Sequence, residues 1–421
     1  MIFLWLLCLS SELERPYLAA AEQAAVWLQS RALETEKGQA WQQDDDNADC
    51  LENTLYSGNA GPVLFYLNLY EVTGNKAWLK EALAGARHMA DTLTLEIRYS
   101  GEAGLYTGLA GLSFTFLEAH RITGEAVWRT QALRCLEPIL ADWPCDYTDI
   151  IAGHAGTGLF LLEAAKRLKD PRLLAKAETL GDMLMEAAYP KETGLEWKMM
   201  ESFAKIMPNF SHGTAGNAYF LACLAQASGK THFLDAARAG AQHVLSMTND
   251  NGRAIYYHPG GEDITYYGWC HGSAGTSRLY YQLWQQTGDT AWRTAYQNAL
   301  NGLCTSGIPK ERPNGFWNNV GLCCGSAGVA ECALDAHRAT KDPQYLDLAR
   351  RLNTDMMARA SKEAGGLKWI QAEHRVQPEL LYAQTGYMQG AAGIGIWLLR
   401  MDAFSRGKRL AFRLPDSPHG R

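Results

Sequence analysis

A short phrase of glycine, any residue, alanine and glycine occurs seven times along this chain of 421 residues. Successive copies begin 45 to 65 residues apart, a spacing that leaves room for two helices and a loop in each repeat. Similar units of this size indicate one repetitive domain rather than several unrelated ones. The first glycines of the copies are Gly58, Gly108, Gly153, Gly213, Gly272, Gly325 and Gly390.

Each copy has the pattern of two helices with different surroundings. The segment after the first glycine is apolar almost all round, as at residues 159–162, and this pattern predicts a buried inner helix. The next segment opens with a large apolar residue such as Trp78 or Trp128 and carries charges on its other side, which predicts an amphipathic outer helix. Between the two, six copies contain a helix stop sixteen residues after the first glycine, at Gly74, Gly124, Lys169, Gly229, Gly288 and Lys341.

Seven buried inner helices cannot be stacked in a row without exposing apolar faces to water. We therefore predict an all-α fold, an (α/α)7 toroid of seven helical hairpins in which each inner helix starts with a Gly-x-Ala-Gly motif. The inner helix N-termini should together present partial positive charge at the mouth of the ring. Residues 16–405 are expected to form this single domain, preceded by an apolar extension or signal segment in 1–15 and followed by a basic, flexible tail in 406–421.

The composition restricts the partners that the chain can have. Lys and Arg number 39 against 45 Asp and Glu, and a formal net charge of -6 without a basic stripe argues against nucleic acid. No run reaches the roughly 18 apolar residues that a membrane-spanning helix needs. The apolar stretch 2–9 lacks the charged segment that opens a signal peptide, so a cytoplasmic location is expected, with export through residues 1–10 as the alternative.

The two positions before the first glycine differ between copies, and the chemically reactive side chains fall in three consecutive repeats. They are His212 in copy four, Cys270 and His271 in copy five, and Cys323 and Cys324 in copy six. Because equivalent positions of a closed ring face the same place, these side chains are expected to meet at the central mouth. Thiolate and imidazole are ligands of Zn²⁺, and a catalytic zinc site leaves one of its four positions open. The three cysteines therefore predict a zinc site.

Other candidate residues have simpler interpretations. The acidic segment 45–49 matches the Asp-Asp-x-x-Asp arrangement of Mg²⁺ and diphosphate sites, but it stands in a polar stretch before the first repeat and is interpreted as a solvated loop. Three cysteines, at positions 8, 50 and 145, give no usable signal. Four cysteines within predicted helices suit small buried apolar side chains, namely Cys135, Cys223, Cys304 and Cys332.

From about Tyr17 to Arg400 the sequence resembles the lanthionine synthetase C-like family, the LanC cyclases. The resemblance rests on the sevenfold Gly-x-Ala-Gly pattern together with Ser211-His212-Gly213, Trp269-Cys270-His271-Gly272 and Cys323-Cys324-Gly325. It implies an α/α toroid with a central zinc ion, and it matches Cys270 and Cys323 to the family's two cysteine ligands. Cys324 stands where most members have a histidine ligand, which resembles the Cys-Cys-Gly subgroup that binds zinc through three cysteines.

The resemblance also implies a reaction. Members of the family add a peptide cysteine to dehydroalanine or dehydrobutyrine and so form lanthionine or methyllanthionine. The chemistry is consistent with a zinc site, because a coordinated thiol is deprotonated and the enolate formed by its addition needs a proton. A dehydrated precursor peptide is the expected substrate. A separate dehydratase is the expected partner, since the chain has no spare length for such a domain.

Three further residues correspond to roles in the family. His212 matches the proposed acid/base histidine, and Asp149 matches a catalytic aspartate that would orient it, with capping of the next helix as the alternative for Asp149. His271 is expected to support them from beside the metal. Tyr266 stands where an arginine often lies, four residues before the first zinc cysteine. Either another donor, such as Tyr266 or Tyr267, stabilises the enolate, or the site serves a different reaction.

Two other functions stay open at this point. The chain could add glutathione or another thiol to dehydroamino acids, or it could be a non-catalytic zinc and thiol-binding scaffold. Toroids of this type also include glycoside hydrolases and prenyltransferases. Glycosidases need paired inward carboxylates, whereas the inward positions predicted here carry sulfur and imidazole.

Overall fold

A computed structural model describes residues 15–44, 46, 51–144, 146–203, 205–249, 254–255 and 264–419 of the chain. Fourteen α-helices in these ranges form two concentric layers, which confirms the toroid of seven hairpins. The inner helices are α2 (Ala60–Thr73), α4 (Leu109–Thr123), α6 (His154–Leu168), α8 (Thr214–Ser228), α10 (Ser273–Thr287), α12 (Ser326–Thr340) and α14 (Ala391–Ser405). The outer helices are α1 (Pro16–Ser30), α3 (Lys76–Asp91), α5 (Ala126–Leu140), α7 (Pro171–Glu186), α9 (Thr231–Ser246), α11 (Thr290–Thr305) and α13 (Pro343–Ala358).

Both ends of the described chain contribute to one hairpin. Six inner helices pack against the outer helix that follows them, whereas the last inner helix, α14, packs against α1. Arg15, just before α1, makes a two-point ion pair with the buried Asp402 of α14, at 2.6 and 2.9 Å. Helix α2 also packs against α14, so the first and last repeats are neighbours and the ring is closed.

The helix stops predicted from the repeats are confirmed in the first six inner helices. The residue after each of these helices adopts a left-handed conformation, with φ between 56° and 73°. Lys169 and Lys341 do so without being glycine, and an Asp-Pro pair follows each of them. The aspartate accepts a hydrogen bond from the backbone of the next helix and the proline fits its first turn, so the outer helix begins at once.

Short strands at the rim are the main addition to the all-α prediction. Nine strands within the described residues form four small antiparallel sheets, each following an outer helix that runs towards the mouth. They are β1 (Ala32–Thr35) and β2 (Gly38–Trp41), β3 (Tyr189–Lys191) and β4 (Gly194–Glu196), β5 (Thr248–Asn249) and β6 (Ala254–Ile255), and β7 (Ala360–Glu363), β8 (Gly366–Ala372) and β9 (Leu381–Ala383).

Three buried tryptophans anchor these sheets to the outer layer. Trp41, Trp197 and Trp369 each donate the indole N–H to a carbonyl thirteen residues earlier, in α1, α7 and α13 respectively, at 2.7 to 2.9 Å. A buried indole N–H requires an acceptor, and the helix ends offer free carbonyls. The same contact therefore recurs in three repeats.

No helix among the described residues is both long and apolar enough to cross a membrane.

The prediction of a flexible tail over 406–421 is wrong for residues 412–417, because five of these six residues are buried inside the ring. Asp416 is 1% exposed and accepts hydrogen bonds from Arg278 of α10 at 2.9 Å and from the indole of Trp269 at 3.0 Å. Phe412 packs against Phe114 of α4, with ring centroids 6.0 Å apart. The buried guanidinium of Arg278 requires a partner of opposite charge, and Asp416 of the tail supplies this carboxylate.

The Asp416→Ala substitution is expected to lower the free energy of unfolding by about 3 to 5 kcal/mol, because it leaves the charge of Arg278 buried without its carboxylate. Chemical denaturation would measure this change. The matched control is Asp347→Ala, which removes a carboxylate that is 70% exposed and paired with Arg351 and should cost less than about 1 kcal/mol. Equal losses in the two variants would contradict a structural role for the tail.

Candidate metal centre

A closed circle of seven backbone hydrogen bonds joins the loops that precede the inner helices. Six links join residues that stand two positions before the first glycine of neighbouring repeats. In these links the backbone N–H of this residue donates to the carbonyl of its counterpart in the next repeat, at 2.9 to 3.0 Å. In the seventh link the donor is Ile150, the residue before Ile151, and its N–H donates to the carbonyl of Ser211 at 3.1 Å. The circle runs through Tyr56, Tyr106, Ile151, Ser211, Cys270, Cys323 and Met388 and back to Tyr56. Equivalent positions of all repeats therefore lie around the hub.

The second glycine of the motif allows each loop to fold back onto the first turn of its helix. A Cβ atom on Gly275 would lie 1.9 Å from the carbonyl oxygen of Trp269, and one on Gly328 would lie 1.9 Å from that of Leu322. No side chain can be accommodated at such distances. The glycines thus fix the backbone immediately before Cys270 and Cys323.

The circle brings together the three cysteines that the sequence predicted as metal ligands. The sulfur of Cys324 lies 3.2 Å from that of Cys270 and 3.4 Å from that of Cys323. Tetrahedral zinc with Zn–S bonds of about 2.3 Å separates two sulfur atoms by about 3.8 Å, so a small outward shift would accommodate the ion. The donor set fits zinc, and it is the one such group of three His, Cys, Asp or Glu side chains found among the described residues.

The three thiols have different acidities because they share hydrogen bonds. Burial raises the pKa of the Cys270 and Cys323 thiols. Hydrogen bonds from Cys270 and Cys323 hold the pKa of Cys324 well below its usual value. The Gln389 side-chain amide lies 3.7 Å from the sulfur of Cys324 and donates to the hydroxyl of Tyr56 at 3.1 Å. The cluster therefore favours a thiolate at Cys324, its most exposed member.

His212 and Asp149 form a second part of the site. The Nδ1 atom of His212 lies 2.6 Å from one carboxylate oxygen of Asp149, which is 1% exposed, while the His212 side chain is 28% exposed. The other oxygen of Asp149 accepts the backbone N–H of Ala152 at 2.8 Å. Helix α6 has Gly153 at its N-cap without a side-chain hydrogen bond, so the capping alternative for Asp149 is wrong. At this distance the carboxylate accepts a hydrogen bond from Nδ1–H and fixes the orientation of the imidazole ring.

Asn209 links the two histidines. Its carbonyl oxygen accepts the backbone N–H of His212 at 2.8 Å, and its amide donates to Nδ1 of His271. Burial and the positive charge of His212 lower the pKa of His271 to about 3, so this imidazole stays neutral near pH 7. His271 follows Cys270 in the chain, and its ring centroid lies 6.0 Å from that of His212.

The segment between β8 and β9 reaches the same mouth. Among its residues, Glu373 accepts a hydrogen bond from Gln384 at 2.7 Å, and the positive charge of His374 contributes to the lowered pKa of Cys324. Arg375 donates from Nε to the hydroxyl of Tyr266 at 3.0 Å. The ring of Tyr266 lies 5.2 Å from that of His271. The segment therefore spans the distance from the sulfur cluster to Tyr266.

Sequence reasoning missed five residues around this site. Gln389 and Tyr56 occupy the two positions before a first glycine, and Asn209 shares with Asp149 the position four residues before one, so comparison of the repeats could have found these three. His374 and Arg375 lie outside the repeated register and left no such signal.

The other cysteines follow the simple interpretation where they are described. Cys135, Cys223 and Cys332 are buried in helices, and Cys304 is partly buried. Burial raises the pKa of Cys135 and Cys332 to about 12, which keeps them protonated and unreactive. The cysteines at positions 8, 50 and 145 and all but Asp46 of the acidic segment 45–49 lie outside the described residues.

Comparison with known proteins identifies the type of toroid. The profile of the family described as "Lanthionine synthetase C-like protein" matches residues 49–408. Among solved structures, nisin cyclase is 15% identical with a TM-score of 0.66, covering 96% of this chain and 97% of that one. The Lin0763 protein from Listeria innocua is 13% identical with a TM-score of 0.55, covering 94% and 99%. The GH76 α-mannanase BT2949 from Bacteroides thetaiotaomicron is 11% identical with a TM-score of 0.52, covering 93% and 96%.

At these identities the solved structures demonstrate a common fold. No curated protein sequence matches this chain significantly.

The Gly328→Ala substitution is expected to disturb the metal centre, because the added methyl group collides with the carbonyl of Leu322 next to Cys323. We expect a loss of more than about 2 kcal/mol in the free energy of unfolding, the range of clashes in packed regions, together with weaker metal binding. Denaturation and metal titration would measure both. Gly288→Asn is the control, since nothing lies within 4 Å of its Cβ position and asparagine tolerates its φ of 70°.

Proposed function

The chain belongs to the lanthionine synthetase C-like family, and we propose that it forms lanthionine or methyllanthionine thioethers by adding a cysteine thiol to dehydroalanine or dehydrobutyrine. The observation that carries the proposal is the cluster of Cys270, Cys323 and Cys324 sulfur atoms at the mouth of the toroid. The proposed substrate is a dehydrated precursor peptide, supplied by a separate dehydratase. The overall similarity to nisin cyclase agrees with a peptide substrate.

We propose that the three cysteines hold a zinc ion. Bound zinc would supply a Lewis acid that keeps the thiol of the substrate deprotonated at neutral pH. Gln389 and Tyr56 would maintain the position of Cys324 and limit its contact with water. Burial raises the pKa of Tyr56 well above its usual value, so its hydroxyl remains a neutral hydrogen-bond partner.

The proposed addition needs no oxidant or reductant. The substrate sulfur forms a bond to Cβ of the dehydroamino acid, the Cα=Cβ double bond breaks, and the electron pair moves to the carbonyl oxygen as an enolate. A proton is then added to Cα. The net reaction therefore adds the sulfur and the proton of the thiol across the double bond. We propose that His212 takes up the thiol proton and delivers a proton to Cα.

The surroundings of His212 support this role. Asp149 fixes the tautomer and orientation of its ring, and Asn209 holds its backbone. We propose that His271 stays uncharged next to the sulfur cluster, because its lowered pKa prevents it from competing with His212 for the thiol proton. Trp269, which precedes Cys270, packs edge to face against Tyr106, with ring centroids 5.2 Å apart.

Metal analysis tests the first part of the proposal. The purified chain is expected to contain about one zinc per molecule, as for a single tetrahedral site. Cys270→Ala should lose most of it, because two thiolates remain, while Cys332→Ala should retain it, since that thiol lies outside the cluster. Inductively coupled plasma mass spectrometry gives the content, and full zinc retention by Cys270→Ala would rule out the assigned ligands.

Thiol alkylation followed by mass spectrometry tests the reaction. A dehydrated peptide with one free cysteine should lose its reactive thiol without a change in mass when it is incubated with the enzyme. His212→Ala is expected to slow this loss by at least about 100-fold, the usual contribution of a general acid or base, with zinc content unchanged. His232→Ala on an outer helix is the matched control.

The same assay separates the alternatives. A glutathione adduct in place of a ring would favour the thiol-addition function, and an unreacted peptide with every thiol supplied would favour the scaffold.

A further inference from the structure

A second cavity, of about 190 Å³, lies at the end of the ring opposite the mouth. The inner helices begin at the mouth, so the last turn of α12 and the tail that follows α14 meet at this other end. A single water needs about 10 to 15 Å³ of such space, so this far cavity has room for a small ligand and its water. None of the residues that line it belongs to the metal centre.

Guanidinium groups dominate the lining of the far cavity. Two of them come from inner helices and two from the tail, namely Arg338, Arg400, Arg409 and Arg413. Asp335 is the one carboxylate among the described residues that line it. Both oxygens of Asp335 accept hydrogen bonds from Arg400, at 2.8 and 2.9 Å, and the nearby Glu331 also pairs with Arg400. A single arginine therefore engages both carboxylates.

Arg338 and Arg409 carry charges that these carboxylates do not neutralise at close range. The Arg338 side chain is 12% exposed, and its guanidinium comes within 3.8 Å of an oxygen of Asp335, which is beyond hydrogen-bond distance. Arg409 is exposed. The ion pairs at this end of the ring involve Arg338, Arg400 and Arg406, and none among the described residues involves Arg409.

The crowding of positive charge has a measurable effect on Arg338. Burial and the positive charges of Arg400 and Arg409 lower its pKa. Its Nη2 donates to the carbonyl of Lys408 at 3.3 Å, and its guanidinium lies 5.5 Å from the ring centroid of Phe404. These contacts hold the side chain in place but supply no negative charge. A buried charge without a close partner is costly, and a bound anion would remove this cost.

The far cavity also offers uncharged hydrogen-bonding groups. The Nε–H of Arg400 is buried and has no hydrogen-bond partner within the described part of the chain. The ring of His419 lies 4.1 Å from that of Tyr281, and burial lowers the pKa of His419 to about 4, so its imidazole is neutral near pH 7. Arg413 donates to the carbonyl of His419 at 2.8 Å, which fixes the end of the tail beside the cavity.

The number and the direction of these groups favour a phosphate group. A phosphate monoester carries about two negative charges near pH 7, which matches the charges of Arg338 and Arg409. Its oxygens accept hydrogen bonds from several directions, and guanidinium groups bind them in pairs. A carboxylate has one charge and two oxygens in one plane, so it would leave one of the two guanidiniums without a partner.

We propose that the far cavity is a binding site for a phosphate group, held by Arg338 of α12 and Arg409 of the tail, with Arg400 of α14 as a further donor. The bound group would join two inner helices to the tail and would hold the tail in the ring. The site lies apart from the cysteine cluster and does not depend on the thioether chemistry proposed above.

Isothermal titration calorimetry of the full chain with inorganic phosphate and with pyrophosphate tests the proposal, with ionic strength held constant by chloride. We expect one site per chain and a higher melting temperature when it is filled. Arg338→Gln and Arg409→Gln should each weaken binding by at least about 10-fold, because each removes a charge-assisted hydrogen bond. Arg409 is exposed, so its variant should fold as the wild type does.

Arg129→Gln is the matched control, since Arg129 is an exposed arginine on the outer helix α5, away from the far cavity. It should bind both anions as tightly as the wild type. Should Arg338→Gln fail to fold, Arg338→Lys replaces it and should retain part of the binding, because the charge is kept.

The outcomes decide both the site and the ligand class. Tighter binding of a nucleoside diphosphate than of pyrophosphate would support a nucleotide as the source of the phosphate, and equal affinity would support the inorganic anion. No binding of either probe at millimolar concentration overturns the proposal. Equal weakening by Arg409→Gln and Arg129→Gln also overturns it, because it indicates non-specific screening. Binding of citrate without binding of phosphate overturns the ligand class.

Discussion

The circle of backbone hydrogen bonds at the mouth is the constraint on which the rest of this structure depends. A single hydrogen bond contributes only about 1 kcal/mol net, but each buried N–H or C=O left without a partner costs about 1 to 3 kcal/mol. Opening the circle at one link would leave a donor and an acceptor unsatisfied at the same time. The seven loops are therefore held in one register, and side chains far apart in sequence, such as Cys270 and Cys323, become immediate neighbours.

This arrangement explains which features the sequence could reveal. The repeats align with one another, so the toroid, the helix stops and the meeting of the three cysteines could be predicted from the glycine register together with the apolar pattern of the helices. Asp149 and His212 were identified through resemblance to the family, and the structure places them 2.6 Å apart. Their roles in the reaction stay predictions until they are measured.

Other features that were missed depend on contacts outside the repeat. The tail contains basic residues that suggested exposure, yet Phe412 and Leu414 are apolar and Asp416 meets the buried Arg278. Whether such a segment is buried depends on one long-range ion pair that no local pattern reports. The same holds for Arg375, which reaches Tyr266 across 109 residues of sequence.

The pairing of α1 with α14 has a consequence for how the protein forms during synthesis. Every other hairpin consists of adjacent sequence and can fold as soon as it leaves the ribosome, because its two helices are joined by a short connection. Helix α1, in contrast, is made before the other described helices and must wait for α14, the last inner helix. Until then the nascent chain is an open arc with unsatisfied edges, and the ring closes only when α1 docks onto α14.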